Sequence, residues 1–274
     1  MAALIGLGHT VTAPRLDINT PSLSLAAEFA PWDSSSFGLS VAQIERVVVN
    51  DPIGARRDIV SLQNWLSDNG IALASCRLPH DRLDESFLLE ALQFRFVEMV
   101  YGMGLDLDKM TDEPTGAIDW TLATAADLPA LQAIAAGAFV TGRWNVDHRV
   151  GPVLAGRRYA AWVERSLDNH QHQVLKAEVD GCLAGFFIVE PVGTAAAYWH
   201  LTAMAEEFQG QGLGARLWRA MAARHRRDGL RQVQTTISAR NVPVLNLYAK
   251  LGWRFKQCQM TFHWAAQDRG VQIA

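Results

Sequence analysis

The chain has 274 residues, 49% of them hydrophobic, with 25 Lys and Arg against 28 Asp and Glu. This length suits one large domain or two ordinary ones with a substantial core, and the apolar content excludes a disordered chain. A formal charge of −3 argues against a nucleic-acid binder held mainly by phosphate contacts, so any anionic ligand must be met by local donors.

No window approaches the roughly 18 consecutive apolar residues of a bilayer span, so no membrane partner is expected. Met1 to Leu7 is apolar but has no Lys or Arg ahead of it, unlike a secretory signal. Cys76, Cys182 and Cys258 are odd in number and widely spaced. They fit reduced core thiols in a cytoplasm better than a disulfide or zinc framework.

Residues 1–24 mix Pro, Thr and Ser without periodicity and read as an N-terminal arm. A β-branched run predicts a strand over 40–49. A turn at Asp51, Pro52 and Gly54 leads to a helix over 56–69, where Ile59, Leu62, Trp65 and Leu66 recur at helical spacing, and Gly70 ends it. A strand over 71–76, a helix over 83–92 and a strand over 94–105 follow, an alternation that implies parallel pairing. Residues 106–115 are the candidate linker.

The second half opens with a strand over 118–123, a helix from Asp127 to Ala138 and another over 151–167. Strands over 174–179 and 184–190, joined by Asp180-Gly181, form a hairpin. A strand over 198–204, a glycine-rich turn, a helix over 213–227, a strand over 232–238, a helix over about 242–251 and a strand over 254–264 complete the chain. Leu92-Gln93-Phe94-Arg95-Phe96 and Leu251-Gly252-Trp253-Arg254-Phe255 each join a helix to a strand after a β-α-β-α run, which suggests a weak internal repeat.

The sharpest motif is Gln209-Gly210-Gln211-Gly212-Leu213-Gly214, between an apolar strand and an arginine-rich helix. Glycines let backbone N–H groups converge without Cβ obstruction, and a first helical turn leaves its donors free, which suits a phosphate or pyrophosphate. The alternative is a tight turn with no ligand. Gly210, Gly212 and Ala215 also satisfy a loose dinucleotide fingerprint, but the next strand ends in Thr235, Thr236, Ile237 and Ser238 rather than in a ribose-binding acid.

Gln209-x-x-Gly212-x-Gly214 resembles the pyrophosphate loop of the GNAT superfamily of acyl-CoA-dependent N-acyltransferases. Asn241, Tyr248 and Leu251-Gly252-Trp253 resemble that superfamily's following helix, with Val244 for the usual Ala and Trp253 for the usual Phe. Asn241 and Tyr248 lie two helical turns apart and share a face. The resemblance implies an α/β GNAT fold with a mixed central sheet. It also implies an acetyl-CoA site made by Gln209, Gly210, Gln211, Gly212, Leu213, Gly214, Arg216 and Asn241. Backbone donors near Ala203, Met204 and Ala205 would serve the thioester oxygen, and Tyr248 would protonate the leaving thiolate.

Trp32-Asp33-Ser34-Ser35-Ser36-Phe37-Gly38, with Ala138-Phe139, Arg143-Trp144, Tyr159 and Trp162, resembles signatures of the dTDP-4-amino-sugar (dTDP-fucosamine) N-acetyltransferases. That family places a degenerate GNAT-like half before the active one. It implies a degenerate domain at 25–112, an acetyltransferase domain at 113–274, and a nucleotide-linked amino sugar as the amine acceptor. Glu98 would then deprotonate the amine through water, and Phe37 and Arg143 would bind substrate, Arg143 through its guanidinium fork on a diphosphate. Glu98 otherwise reads as an exposed carboxylate on an edge strand, and Gln93 departs from the family's glycine. A homodimer is left open.

His170 and His172 have no partner ligand in their loop and read as exposed, so no metal is expected. Most of the nine tryptophans read as core. The competing functions are acylation of another small-molecule or peptide amine, and non-catalytic acyl-CoA binding.

Overall fold

The computed structural model describes residues 13–110 and 118–266. Its first half runs β1 (Arg15–Asn19), β2 (Leu23–Phe29), α1 (Pro31–Phe37), β3 (Val41–Val49), α2 (Pro52–Asp58), α3 (Val60–Asp68), β4 (Leu73–Pro79), α4 (Leu83–Ala91) and β5 (Arg95–Asp106). The second half begins with β6 (Trp120–Leu122), α5 (Leu128–Ala138), α6 (Arg143–Val146), α7 (Gly151–Asp168), β7 (Gln173–Val179), β8 (Cys182–Val192) and β9 (Ala196–Met204). It ends with α8 (Leu213–Arg227), β10 (Gln232–Ser238), α9 (Val242–Lys250) and β11 (Arg254–Ala265).

Most elements stand where hydrophobic spacing puts them. Asp180 and Gly181 have φ of 53° and 78°, the left-handed pair a tight hairpin needs between β7 and β8. In α8, Leu213, Leu217, Trp218 and Met221 bury one face, while the last turn carries Arg224, Arg226 and Arg227, where the helix dipole favours cations.

Three expectations change. Within the expected arm, residues 15–19 and 23–24 lie in strands: Leu16 and Ile18, then Leu23 and Leu25, alternate across a Thr20-Pro21-Ser22 turn. Residues 1–12 lie outside the described residues. The helix expected from residue 56 starts at Pro52 and breaks at Ile59, because the Asp51 carboxylate accepts the Ile53 and Gly54 N–H groups and proline suits the first helical position. Of the thiols, Cys76 is buried, its pKa pushed up to about 12 by that burial, whereas Cys182 is exposed and Cys258 partly so. The candidate linker begins with the end of β5 and a 3-10 turn, Leu107–Lys109, and 111–117 lie outside the described residues.

Eleven strands form one mixed sheet in the order β1-β2-β3-β4-β11-β5-β10-β9-β8-β7-β6. Among the described residues only β3 with β4 and β9 with β10 pair in parallel, so the parallel pairing expected throughout the first half is met by one pair. At the centre the halves exchange their last strands: β5 pairs antiparallel with β10, β11 with β4, and the two with each other. Neither last strand lies beside its own half's parallel pair.

The repeat is carried in backbone detail. Each parallel ladder spans four residue pairs, Val41↔Leu73 to Ile44↔Cys76 and Ala196↔Gln232 to Trp199↔Thr235. One residue further, each of β3 and β9 carries an unpaired extra residue against its antiparallel neighbour, Glu45 and His200. Phe94 N–H donates to Leu89 O and Trp253 N–H to Tyr248 O, both at 3.0 Å. Gln93 adopts φ of 66° where Gly252 adopts 80°, so a glutamine holds the left-handed position that a glycine fills at lower cost.

The halves also share a core, where Phe37, Val41 and Leu73 pack with Trp144, Leu154 and Tyr159. The two signature segments meet there. Asp33 pairs with Arg158 at 2.8 Å, and the Arg158 guanidinium lies 4.5 Å from the centre of Trp32 and 5.1 Å from that of Trp162.

Candidate active site

The glycine-rich turn leads straight into α8. Gly210 and Gly212 both have φ of 74°, and a Cβ on either would meet no heavy atom within 4 Å, so the space above the turn is open. Gly212 is the N-cap of α8 and makes no side-chain cap bond, which leaves the first-turn amides available to an anion. Gln209 Nε2 donates to Met204 O at 3.1 Å and Gln211 Nε2 to Glu207 O at 2.7 Å, so both glutamines brace the turn. Arg216 is exposed on the first turn of α8.

A wedge opens between β9 and β10, because their pairing stops at Trp199 and Thr235 while β9 continues to Met204 and β10 to Ser238. Ala205 N–H donates to Ala184 O at 3.0 Å. Alternation along an antiparallel ladder therefore turns the Ala203 amide toward β8 as well, and the Met204 amide into the wedge. Of the three donors expected for the thioester oxygen, only Met204 faces the gap. A Cβ on Gly214, in the first turn of α8, would lie 3.6 Å from the Met204 side chain and 3.9 Å from that of Leu247.

Tyr248 stands on α9, 1% exposed. Its hydroxyl accepts from Trp218 Nε1 at 3.0 Å and lies near the Thr202 side chain, and its ring stacks on Trp253 at 4.4 Å. Burial pushes the phenol up to about 12, so it keeps its proton at any physiological pH. Thr202 lies two residues before Met204, which brings this proton donor to the strand that carries the open amide. Asn241 is the N-cap of α9, its Oδ1 accepting from Val244 N–H at 3.4 Å, so the structure gives it a capping role.

The first half shows what a closed counterpart looks like. Residues 49 and 50 correspond to Met204 and Ala205: Asn50 N–H donates back to Ser22 O, as Ala205 does to Ala184, and Val49 N–H turns to the gap. There the buried Glu85 carboxylate fills the gap and accepts that amide at 3.0 Å. The helix after β3 is capped by the Asp51 carboxylate, and a Cβ on Gly54 would lie 2.0 Å from Ser22 Oγ. Leu89 stands where Tyr248 stands. At these equivalent positions the first half has a bonded amide, a capped helix start and an apolar side chain in place of the phenol.

Between the halves lies a buried polar cluster. Glu98 is 4% exposed on the central strand β5, not on an edge, because strand exchange gives β5 two neighbours. Its carboxylate is 3.5 Å from Arg77; burial raises its pKa against the opposing pull of Arg77, Arg143 and Ser238. Arg143 donates to Ser75 Oγ at 2.9 Å and stacks over Trp144. Its burial, then Arg77, push its guanidinium down to about 9, still cationic at neutral pH. Phe37 is buried edge-on to Trp144 at 5.0 Å, so the structure makes it core.

His263 joins this cluster. It is fully buried, its Nδ1 2.9 Å from Asp147, itself held by Arg149 at 2.8 Å. Burial lowers the imidazole to about 4, hydrogen bonds from His263 and Arg149 hold the Asp147 carboxyl well below its usual range despite burial, and His263 Nε2 has no partner. The imidazole therefore stays neutral at physiological pH. The sequence signal is polarity at alternate positions of two paired strands, Ser75 with Arg77 in β4 and Thr261 with His263 in β11.

Beside the cluster is a cavity of about 540 Å³, lined among others by Phe96, Val97, Asp147, Arg95, Arg149 and Arg240. It lies at the end of the sheet where the wedge opens, since Arg240 follows β10 and Arg95 begins the antiparallel β5.

Residues 143–253 match the model of the acetyltransferase (GNAT) family. No curated protein sequence matches the chain. Among solved structures, a GCN5-related N-acetyltransferase from Sphaerobacter thermophilus is similar over 89% of this chain and 81% of its own, at 13% identity and a TM-score of 0.62. A tandem GNAT protein from the clavulanic acid biosynthesis pathway is similar over 90% and 80%, at 15% and 0.56. A GCN5-related glucosamine N-acetyltransferase region in a fungal multi-domain β-N-acetylglucosaminidase is similar over 89% of this chain and 31% of that one, at 10% and 0.64. At these identities the three establish a shared fold. The open amide, free helix start and buried tyrosine all fall in or beside the family match, and segment 143–253 is an N-acetyltransferase domain of the GNAT family within a chain of GNAT-type fold.

Proposed function

We propose that the chain transfers an acetyl group from acetyl-CoA to the amine of a nucleotide-linked amino sugar, in the cytoplasm, by direct attack on the thioester. The observation that carries the transfer is the contrast between the halves: Met204 N–H faces an open wedge beside a free helix start, whereas Val49 N–H is taken by Glu85. On this reading residues 25–112 are a degenerate half and 113–274 the active one.

The residues present fit coenzyme A. The amides of 211–214 and Arg216 would hold its pyrophosphate, and the wedge would take its pantetheine arm. When bound, the cofactor supplies the activated acetyl group. Met204 N–H then stabilises the carbonyl oxygen as it gains charge. With the acetyl donor bound, Tyr248 would give its proton to the departing sulfur as the C–S bond breaks and the C–N bond to the acceptor forms, and a base would take the proton the amine loses. Glu98 serves as that base through water, its raised pKa suiting the task.

The acceptor is assigned to the 540 Å³ cavity. Arg95 and Arg240 at its wall suit a diphosphate, half-exposed Phe96 offers a face to a base or sugar ring, and Arg143 orients Glu98 rather than clamping phosphate. Likeness to a glucosamine N-acetyltransferase region is in keeping with this class. A thiol-release screen against dTDP- and UDP-linked amino sugars, with mass spectrometry of the product, tests it. Release only with amino acid or peptide amines would move the acceptor class, and no acceptor-dependent release across a broad amine panel would favour a binding role.

A further inference from the structure

Three metal-ligand side chains that the sequence scatters meet on the α7 side of the sheet. His172 stands between α7 and β7, Glu190 near the end of β8, and His200 on β9. His200 is the extra residue on β9, since Val189 pairs with Trp199 and Ile188 with Leu201. Such a bulge re-aims a side chain. Trp199 packs with α8 residues and Leu201 with α7 residues, and between them the His200 ring lies 4.9 Å from that of His172 and 6.1 Å from Trp162 of α7.

His200 Nε2 is 2.6 Å from Glu190 Oε2, and one ligand atom from each of the three residues lies within 4.8 Å of the others. A tetrahedral zinc ion with bonds of about 2.0–2.1 Å holds its ligand atoms roughly 3.3 Å apart. Side-chain adjustments of about 1 Å reach that arrangement, and all three residues are only partly buried, open to an arriving ion. His172 Nδ1 is 3.0 Å from Ser166 Oγ, which leaves Nε2 as the ligand nitrogen and supplies the outer hydrogen bond that usually orients a liganding imidazole.

We propose that His172, Glu190 and His200 bind one divalent cation of the zinc class, with solvent in the fourth position. Two imidazoles and one carboxylate suit zinc or cobalt better than magnesium or calcium, which prefer oxygen shells. The ion ties the end of α7 to β8 and β9, on the strand that leads to Met204. It revises the expectation that His172 is a solvent-exposed histidine with no partner ligand. The partners come from two other strands, beyond the reach of a local spacing rule.

The test uses untagged full-length protein, stripped with chelator and titrated with zinc chloride by calorimetry and with cobalt chloride by visible absorption. One equivalent of zinc is expected, with a visible cobalt band of low-coordinate intensity. His172→Ala, His200→Ala and Glu190→Gln should each bind at least tenfold more weakly, and Ser166→Ala should bind roughly tenfold more weakly. His170→Ala, on the neighbouring exposed histidine, should bind as the parent does. Should a histidine variant misfold by circular dichroism, Glu190→Gln, which keeps the side-chain size, decides. No stoichiometric zinc binding by the parent, or equal binding by Glu190→Gln and any folded histidine variant, overturns the site.

Discussion

Tyr248→Phe separates chemistry from packing. The substitution keeps the ring stacked on Trp253 but removes the oxygen that accepts from Trp218 Nε1 at 3.0 Å. Leaving that buried indole N–H without a partner costs about 1–3 kcal/mol. At about 2–4 °C per kcal/mol for a chain approaching this size, Tm should fall by roughly 2–12 °C. A positioned general acid contributes about 10²–10⁴-fold, so turnover in a thiol-release assay should fall by that factor, while coenzyme A affinity by calorimetry stays within about twofold, since the helix-start amides are untouched. Assays at 25 °C keep the variant folded. Adding Trp218→Phe removes the orphaned donor and should restore no turnover. Near-parental turnover in Tyr248→Phe refutes the acid role, and recovery in the double variant would make the hydroxyl a packing group. With the phenol pushed up to about 12, the parent's rate should not fall between pH 8 and 10 through ionisation of Tyr248.

Gly212→Val should fold with about 1–2 kcal/mol of left-handed strain, because its side chain meets open space, yet lose at least tenfold in coenzyme A affinity by calorimetry; unchanged affinity would move the pyrophosphate site. Glu98→Gln should lower kcat tenfold or more without changing cofactor affinity, and an unchanged kcat would remove Glu98 as base. Arg240→Ala should raise the acceptor's KM with little effect on kcat, read by steady-state kinetics; no change in KM would displace the acceptor from the cavity. His263 and His225 are buried neutral with pKa values lowered to about 4, so between there and the unfolded value near 6.5 the unfolded chain binds more protons and stability falls as pH drops. Melts at pH 7 and pH 5 should show this loss, smaller in His263→Gln, and equal losses would contradict the assignment.

The second half was the more legible because its chemistry is local. Gly210, Gly212 and the Asn241 to Trp253 helix are fixed by backbone needs within a dozen residues, and Gln93 and Gly252 marked the repeat through one shared left-handed turn. Strand exchange was not legible. Periodicity reports which face of a strand is apolar and says nothing of its neighbours, so β5 was expected beside its own half's strands, and Glu98 was read as exposed when β10 and β11 cover it. The same limit hid the pairing of His263 with Asp147, 2.9 Å apart across elements far separated in sequence. Phe37 matched a binding signature, but its conformation is set by Trp144. Ala203 and Ala205 were named with Met204 because sequence fixes where a strand runs and not which way each amide points.

The most direct measurement is amide hydrogen exchange with and without coenzyme A. The account predicts new protection at Met204 and at residues 211–214, and none at the equivalent Val49 or at residues 52–55 of the capped first-half helix. Protection that appears in the first half, or that leaves 204 and 211–214 unchanged while calorimetry records binding, would contradict it.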